Sequence, residues 1–262
     1  MGSNILKDLE NKIVLVTGST SGIGEATVTL FSELGAHVIV CGRDEEKVAK
    51  LASKCESLSP FKYKPLTFVG DLLIDENIEN LVRQTIERHS RIDVVVNNLA
   101  ANDTDIMGSI MDDGIYEKFE KCIKTNVGVT MKVARLTLPY LSESKGSMIN
   151  LSTATTLKTF EGELPNLLSK ATVDALTKEL ALEFGPKGVR VNSVNTAFIN
   201  TPTYAALGMP SKVMEEMYAH MTVFNRVGQP EEIAKIVVFL ASNASSFVTG
   251  IHLVADGGFL LK

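Results

Sequence analysis

The chain has 262 residues, enough for one large α/β domain that buries about three quarters of its unfolded surface. Hydrophobic residues make up 45% and charged residues 22%, ordinary values that exclude disordered, collagen-like and coiled-coil classes. The net charge is -5 and both signs are interspersed, so no basic face is offered to nucleic acid or to an anionic membrane.

The amino-terminal segment, residues 1–12, is polar and lacks the apolar core of a secretory signal. Cys41, Cys55 and Cys122 are odd in number and far apart, which favours buried thiols in a reducing compartment over disulfides or a zinc site. No apolar run approaches about 18 residues, the length that spans a membrane. We therefore expect a cytoplasmic protein without a membrane partner.

Short apolar runs rich in β-branched residues alternate with segments of helical spacing. The predicted strands are 13–17, 37–41, 66–70, 92–97, 147–152, 189–194 and 251–255. Strands that alternate with helices form a parallel sheet through right-handed crossovers, and nearly continuous apolar strands indicate that both sheet faces are covered. The sequence predicts a single doubly wound α/β (Rossmann) domain over residues 1–262, with a seven-stranded parallel sheet.

Two irregular stretches, 98–114 and 196–224, each follow a predicted strand. Ligand crevices of parallel sheets lie beyond the carboxyl ends of the strands, so these stretches are predicted to form the walls and, at 196–224, the lid of a site. Surface loops without function are the alternative. Methionines of the lid have helical spacing and either line an apolar pocket or pack in the core. They are Met209, Met214, Met217 and Met221.

A glycine-rich stretch, TGSTSGIG at Thr17–Gly24, follows the first strand and opens a helix. Glycines lack Cβ, so the chain can turn tightly and approach a pyrophosphate at the positive end of that helix. Glycine clusters are often mere turns, but the order strand, glycines, helix, strand indicates a dinucleotide site. The predicted binding residues of this stretch are Gly18, Thr20, Ser21, Gly22, Ile23 and Gly24.

The second strand ends in CGRD, where an NAD site usually has an acidic residue. Arg43 can make a charge-assisted contact with a 2′-phosphate, and Gly42 removes the carboxylate that would repel it. A solvated arginine beside Asp44 is the alternative, although Asp44 itself is better explained as the N-cap of the next helix. The pattern favours NADP(H) over NAD(H).

Further motifs follow in order along the chain. They are Asp71 in GDLL, Asn97 and Asn98 after the fourth strand, Asn126 in TNVGV, the stretch 169–195 beginning SKATVDALTKEL, and the closing VTGIHLVADGG. With TGSTSGIG they cover nearly the whole chain, which in this respect resembles the short-chain dehydrogenase/reductase family. The resemblance implies that Asp71 and Leu72 flank the adenine, that Asn97 lies near its ribose, and that Ile199 and Thr201 reach the nicotinamide carboxamide.

The family transfers a hydride between nicotinamide C4 and a carbonyl carbon, with an Asn, a Ser, a Tyr and a Lys supporting the carbonyl oxygen. By resemblance these positions fall on Asn126, Thr153, Asn166 and Lys170. Two of the four residues are therefore replaced.

The two replacements differ in their chemical consequence. Thr153 keeps a hydroxyl that can donate to a substrate oxygen. Asn166 can orient that oxygen but cannot protonate it, and loss of a positioned general acid costs about 10² to 10⁴ in rate. Lys170, one helical turn later, can still bind the nicotinamide ribose and pass protons through a water. The alternative for Lys170 is a solvated helix lysine.

Glu161 and Glu163 before the helix and Tyr204 and Tyr218 in the lid are the alternative proton donors that could reach the substrate oxygen. We interpret all four as surface or lid residues without a catalytic part. The four histidines are scattered without ligand spacing, so no metal is assigned.

Smaller departures from the family pattern lie at the nicotinamide end. Leu99 and Ala100 alter the usual NNAG, and Thr196 and Ala197 replace a proline and a glycine. Each adds side-chain bulk where the backbone is expected to approach the nicotinamide.

These observations leave three hypotheses. The leading one is an NADP(H)-dependent oxidoreductase acting on a small carbonyl or secondary alcohol, with an impaired or altered proton-donor step. The alternatives are a catalytically inactive nucleotide-binding or assembly protein, and a non-redox enzyme such as an isomerase or lyase. Family members usually pair through the helices around 115–140 and 166–185, so the resemblance also implies a homodimer or homotetramer.

Overall fold

A computed structural model describes residues 6–101, 103–202 and 211–262, with only the main chain described at residues 103, 211 and 214. It contains all seven predicted strands, and their ends differ from the prediction by at most two residues. They are β1 Ile13–Val16, β2 His37–Gly42, β3 Leu66–Val69, β4 Val94–Asn97, β5 Ser147–Thr153, β6 Arg190–Thr196 and β7 His252–Ala255.

The strands form one sheet in the order β3-β2-β1-β4-β5-β6-β7, and every pair is parallel. This confirms the predicted doubly wound sheet. The order reverses at β1, which pairs with β2 on one side and with β4 on the other. Crossovers leave this point in opposite directions, so a crevice opens there at the carboxyl ends of the strands.

Nine α-helices cover the sheet in the described part of the chain. They are α1 Gly22–Glu33, α2 Glu45–Leu58, α3 Asp75–His89, α4 Asp103–Ile106, α5 Ile115–Cys122, α6 Thr130–Ser144, α7 Leu164–Phe184, α8 Ser211–Tyr218 and α9 Pro230–Ala241. A π-helical segment, Ile123–Val129, joins α5 to α6. None of these described helices is long and apolar enough to cross a bilayer.

Two hydrophobic clusters lie on opposite faces of the sheet. Because side chains alternate along a strand, Val14 and Val16 pack on one face with Phe31 of α1, whereas Leu15 packs on the other with Val133 of α6. Burial of each such side chain contributes about 1.5–3 kcal/mol. The two clusters fix the sheet between its helical layers. The three thiols are buried and free, as predicted.

A third, smaller cluster lies at the substrate end and contains Ala154, Phe198, Tyr218, Val227 and Phe259. The Tyr218 ring stacks on Phe198 with 4.3 Å between centroids, so the end of α8 is anchored to the segment that follows β6. Tyr218 is therefore a buried residue of the lid region.

Among the lid methionines, Met221 packs against this third cluster and Met217 is half exposed. Met209 and Tyr204 lie outside the described residues, as does the side chain of Met214. Met221 therefore contributes to this packing and also lines a cavity beside Phe160 and Phe259.

Candidate active site

The glycine loop between β1 and α1 adopts a conformation that requires glycine at several points. Gly18 and Gly22 have φ values of +61° and +53°, a region that residues with a Cβ rarely occupy. A Cβ on Gly24 would overlap the Gly18 carbonyl oxygen and lie 2.5 Å from Asn98 Nδ2. The spacing of the three glycines therefore reflects the tight turn of the loop and its close packing against neighbouring atoms.

The end of β4 holds this loop in place. Asn98 Nδ2 donates to the carbonyl oxygens of Thr17 and Gly18, at 3.0 and 2.9 Å. In return, Thr17 Oγ1 accepts from the backbone N–H groups of Asn98 and Leu99, at 3.0 and 3.1 Å. Side-chain hydrogen bonds of Asn98 and Thr17 therefore fix the position of the loop, in addition to the turn of its main chain.

The amino terminus of α1 is open for an anion. Ser21, its N-cap residue, makes no side-chain capping bond, and neither its hydroxyl nor that of Thr20 has a hydrogen-bond partner among the described residues. Free N–H groups and the helix dipole favour a negative charge at such an end. A pyrophosphate therefore fits the predicted loop residues.

Arg43 lies at the carboxyl end of β2, next to the glycine loop. A Cβ on Gly42 would stand 2.6 Å from Thr20 Cγ2, so Gly42 brings the end of β2 against that loop. Arg43 is exposed and makes no ion pair within the described parts of the chain. Asp44 is engaged elsewhere, because it caps α2 by accepting from Lys47 N at 3.1 Å, as predicted. The guanidinium is free to bind a phosphate.

The predicted adenine-side residues lie at the ends of β3 and β4. Asp71 is partly buried, and its Oδ1 accepts from Leu73 N at 2.9 Å. The Leu72 side chain packs in the second core cluster, and Asn97 donates to Asn150 Oδ1 at 2.8 Å inside the sheet. At both Leu72 and Asn97 the main chain is the part that a nucleotide could reach.

The predicted nicotinamide-side residues approach the glycine loop from β6. Thr201 Cγ2 would lie 3.1 Å from a Cβ on Gly22, so the segment after β6 covers the loop. Ile199 is buried and forms an isolated parallel bridge with Gly228. The structure therefore brings residues 18–24 and 199–201 to the same crevice.

Leu99 and Ala197, which are predicted to add bulk in the crevice, are partly buried. The Leu99 side chain packs against the second core cluster, and Ala197 packs against the third. Part of their bulk therefore contributes to hydrophobic packing. Thr196 is largely buried, and its carbonyl oxygen accepts from Thr153.

Asn126 lies in the π-helical segment, a kind of irregularity that often marks functional sites. Its Oδ1 accepts from Ala101 N, and its Nδ2 donates to Ser169 Oγ, both at 2.8 Å. Ser169 Oγ in turn donates to the carbonyl oxygen of Asn166 at 2.9 Å. Asn126 and the first turns of α7 are thereby fixed to each other.

Lys170 points into the protein from α7, which rules out the alternative of a solvated helix lysine. Its side chain is 7% exposed, and Nζ donates to the carbonyl oxygen of Leu151 at 2.7 Å. Burial lowers the pKa of Lys170 to about 8, although the nearby Asp174 and Cys122 oppose that shift. A lysine with this pKa can exchange a proton near neutral pH.

Thr153 is the last residue of β5 and starts a row of hydroxyl groups. Thr153 Oγ1 lies 3.1 Å from Thr155 Oγ1 and 3.3 Å from the carbonyl oxygen of Thr196. Thr155 Oγ1 lies 3.2 Å from Glu163 Oε2. The row therefore links the predicted serine position to a carboxyl group.

Glu163 is the N-cap residue of α7, but its side chain bonds to Thr155 instead of capping the helix. Burial raises the pKa of the Glu163 carboxyl, while hydrogen bonds with the Thr155 and Asn166 side chains oppose that rise. Glu163 is half-buried, so its carboxyl is less solvated than that of an exposed glutamate. Glu161, two residues earlier, is exposed as predicted.

Thr155, Glu163 and Ser169 are the site residues that the sequence reasoning missed. They contact three of the four predicted positions, because Thr155 links Thr153 to Glu163, and Ser169 links the Asn166 carbonyl oxygen to Asn126. The available signal was their spacing: Glu163 and Ser169 each stand three residues from Asn166, about one helical turn.

No group of three or more potential metal ligands occurs among the described residues. The histidines have other surroundings: His37 stacks on Tyr63, and His252 Nδ1 lies 2.8 Å from Ser193 Oγ.

Comparison with known proteins gives a consistent set of relatives. A family model described as enoyl-(acyl carrier protein) reductase matches residues 18–260. A 3-oxoacyl-(acyl-carrier-protein) reductase FabG from Thermotoga maritima is 33% identical over 254 residues, covering 97% of this chain and 99% of the relative. An L-fucose dehydrogenase from Mus musculus is 32% identical over 250 residues, covering 94% and 88%.

Solved structures agree with these sequences. A short-chain type dehydrogenase/reductase from Mycobacterium ulcerans has a TM-score of 0.88 at 28% identity and covers 97% of this chain and 91% of that one. A Caenorhabditis elegans short-chain dehydrogenase/reductase of unknown function, solved with cofactor, has a TM-score of 0.87 at 29% identity and covers 97% of both chains.

Proposed function

Because the chain belongs to the short-chain dehydrogenase/reductase family, whose members bind nicotinamide cofactors, we propose that it is an NADP(H)-dependent oxidoreductase. Its substrate is a small carbonyl compound or the corresponding secondary alcohol. The observation that carries the proposal is the nucleotide cradle, which consists of the glycine loop, the amino terminus of α1 and Arg43. Arg43 makes no ion pair within the described residues, and the amino terminus of α1 has no side-chain cap.

The cradle residues divide between the parts of the dinucleotide. The loop from Gly18 to Gly24 and the amino terminus of α1 bind the pyrophosphate, and Arg43 binds the 2′-phosphate. On the adenine side, Asp71, Leu72 and Asn97 bind adenine and its ribose. Ile199 and Thr201 bind the carboxamide on the nicotinamide side. Arg43 favours NADP(H), because an arginine there offers nothing specific to the hydroxyl of NAD(H).

When bound, the nicotinamide supplies or accepts the hydride. The protein then has to hold the substrate oxygen and manage one proton. The Thr153 hydroxyl donates to that oxygen, and Lys170 on α7 binds the nicotinamide ribose. Asn126 keeps α7 in place through Ser169. Asn166 orients the substrate but has no acidic proton to give.

A second candidate is a nucleotide-binding protein without turnover. Asn166 favours it, because the amide removes the usual proton donor. Non-redox chemistry such as isomerisation or elimination is the third candidate, since it needs no phenol.

One pair of measurements separates these functions. NADPH and NADH are titrated by fluorescence, and NADPH consumption is then followed over a panel of small ketones and their alcohols. The proposal expects tighter binding of NADPH than of NADH, together with slow ketone reduction. Binding without any conversion would instead support the nucleotide-binding protein. Conversion without a change in NADPH absorbance would support the non-redox enzyme.

We also propose a homodimer or homotetramer in the cytoplasm. Large side chains on the helices that the family uses for pairing are exposed, notably Tyr116 on α5 and Leu168 and Leu182 on α7. The three buried thiols suit a reducing compartment. Light scattering after gel filtration tests the oligomer, and a monomer at micromolar concentration would contradict it.

A further inference from the structure

We propose that Glu163 is the proton source for the substrate oxygen, acting through the hydroxyl groups of Thr155 and Thr153. The proposal rests on the proposed carbonyl reduction, and it identifies the residue that supplies the proton in place of the missing tyrosine. It starts from the continuous row of oxygen atoms that leads from the Glu163 carboxyl to the end of β5.

Each step of the row is within hydrogen-bonding distance. Glu163 Oε2 and Thr155 Oγ1 are 3.2 Å apart, and Thr155 Oγ1 and Thr153 Oγ1 are 3.1 Å apart. Thr153 Oγ1 also accepts from Thr155 N at 3.3 Å. When the Glu163 carboxyl is protonated and donates to Thr155 Oγ1, the Thr155 hydroxyl donates to Thr153 Oγ1, and both acceptor sites of the Thr153 hydroxyl are filled from the Thr155 side. Its own hydrogen, which now points to the Thr196 carbonyl oxygen at 3.3 Å, can turn to a substrate oxygen.

The surroundings of Glu163 favour a protonated carboxyl group. No ion pair to Glu163 occurs in the described part of the chain, and its neighbours on the turn after β5 and on α7 are the neutral side chains of Thr155 and Asn166. The titratable group facing it is Tyr218 on α8. A phenolate there would repel a carboxylate, and the buried phenol stays neutral because burial and Glu163 both raise its pKa.

Asn166 completes the arrangement at the position of the missing phenol. Interaction with its side-chain amide opposes the rise in the Glu163 pKa that burial causes, and so favours the ionised form once the proton has left. Burial and this interaction therefore act in opposite directions. Such a balance brings the pKa of a carboxyl closer to the working pH, where a general acid is most effective.

The proton movement balances. In ketone reduction the carbonyl carbon gains a hydride, and its oxygen gains the hydrogen of the Thr153 hydroxyl. Thr153 Oγ1 regains a hydrogen from Thr155 Oγ1, which regains one from Glu163. Glu163 is left as a carboxylate and is protonated again from water. Alcohol oxidation runs the same steps in reverse, with the Glu163 carboxylate as the final proton acceptor.

The experiment compares Glu163→Gln with the wild-type protein and with Glu161→Gln, a matched control at an exposed site in the same loop. The expected kcat for ketone reduction falls about 10²-fold in E163Q, with KM and the NADPH dissociation constant nearly unchanged. The wild-type kcat decreases as pH rises through the Glu163 pKa, and E163Q loses that decrease. E161Q keeps the wild-type rate and pH profile.

An infrared difference spectrum, wild type minus E163Q, gives a readout that needs no turnover. We expect the carbonyl band of a protonated carboxyl group at pH 6, where an ordinary glutamate with a pKa of about 4.3 is ionised. If E163Q does not fold, Thr155→Val replaces it, because it breaks the row at its middle hydroxyl. The expected kcat then falls as for E163Q.

The outcomes distinguish the two proposals. Ketone reduction by E163Q or T155V at the wild-type rate and pH profile overturns the role of Glu163 and leaves the proposed function intact. A wild-type protein that binds NADPH but reduces no carbonyl compound overturns both. Absence of the infrared band at pH 6 overturns the role of Glu163 as an acid.

Discussion

Asn98 Nδ2 lies 2.9 Å from the carbonyl oxygen of Gly18 and ties the end of β4 to the glycine loop. The same nitrogen is the atom that a Cβ on Gly24 would displace. The third glycine of the motif therefore protects a contact between two strand ends, in addition to leaving room for a phosphate.

We predict that Gly24→Ala weakens NADPH binding at least about 10-fold and lowers the free energy of unfolding by about 1–3 kcal/mol, because the new methyl overlaps the Gly18 carbonyl oxygen. Fluorescence titration and urea unfolding measure the two effects.

Gly185→Ala is the matched control. Gly185 lies away from the glycine loop, and a Cβ there meets no described atom within 4 Å, so the substitution is expected to leave NADPH binding unchanged. Equal binding by G24A and G185A would show that the cradle tolerates a side chain.

Arg43→Ala is expected to raise the NADPH dissociation constant about 10- to 100-fold and to leave that of NADH nearly unchanged. The reason is that a charge-assisted contact with phosphate contributes about 1.5–3 kcal/mol, and only NADPH has the 2′-phosphate. Paired titrations at constant salt measure the ratio, since such contacts are screened. Arg83→Ala, an exposed arginine on α3, is the control. A parallel loss of both nucleotides would assign Arg43 a structural role.

Asn166→Tyr is expected to speed ketone reduction about 10-fold or more, because a phenol at this position can donate a proton directly. The gain should also make the rate less dependent on Glu163. Steady-state kcat values of N166Y and of the double variant N166Y/E163Q measure both effects. Asn166→Phe supplies the ring without the hydroxyl, and a gain in N166F equal to that in N166Y would contradict this explanation.

The buried Lys170 makes the free energy of unfolding depend on pH in a defined direction. Its pKa is lowered to about 8 in the folded protein from an ordinary 10.5, so between these values the unfolded chain binds more protons. Stability attributable to Lys170 therefore rises with pH across that window, by up to about 3 kcal/mol.

Urea unfolding of the wild type and of Lys170→Met at pH 7.5 and 10 isolates this effect. K170M is expected to gain stability relative to the wild type at pH 7.5 and to lose that gain at pH 10. A stability difference that does not change between the two pH values would mean that the lysine keeps its ordinary pKa.

Much of the fold follows from local pattern. The run IVLVT predicts a strand, and β1 occupies Ile13–Val16, because a short apolar run rich in β-branched residues is typical of a strand that is covered on both faces inside a parallel sheet. The glycine loop could also be predicted from the sequence, because Gly18 and Gly22 take positive φ values that other residues avoid.

The proton-donor end was harder to predict for a physical reason. Glu163 is half-buried, and Thr155, eight residues earlier, and Tyr218, on a different helix, come to it in the fold. Leu99 is similar, since its side chain turns to a core built from distant helices. Periodicity describes one element at a time and carries no information about such contacts.

The short segment from Asn98 to Ala101 connects the glycine loop to the hydrogen bonds around Asn126. At one end Asn98 hydrogen-bonds to the glycine loop, and at the other the backbone N–H of Ala101 donates to the side chain of Asn126. Because only two residues separate these anchor points, a displacement of one also displaces the other. The backbone of this crevice is therefore held in place, and substitutions there change side chains without moving the main chain. An amide in place of a phenol is a substitution of this kind.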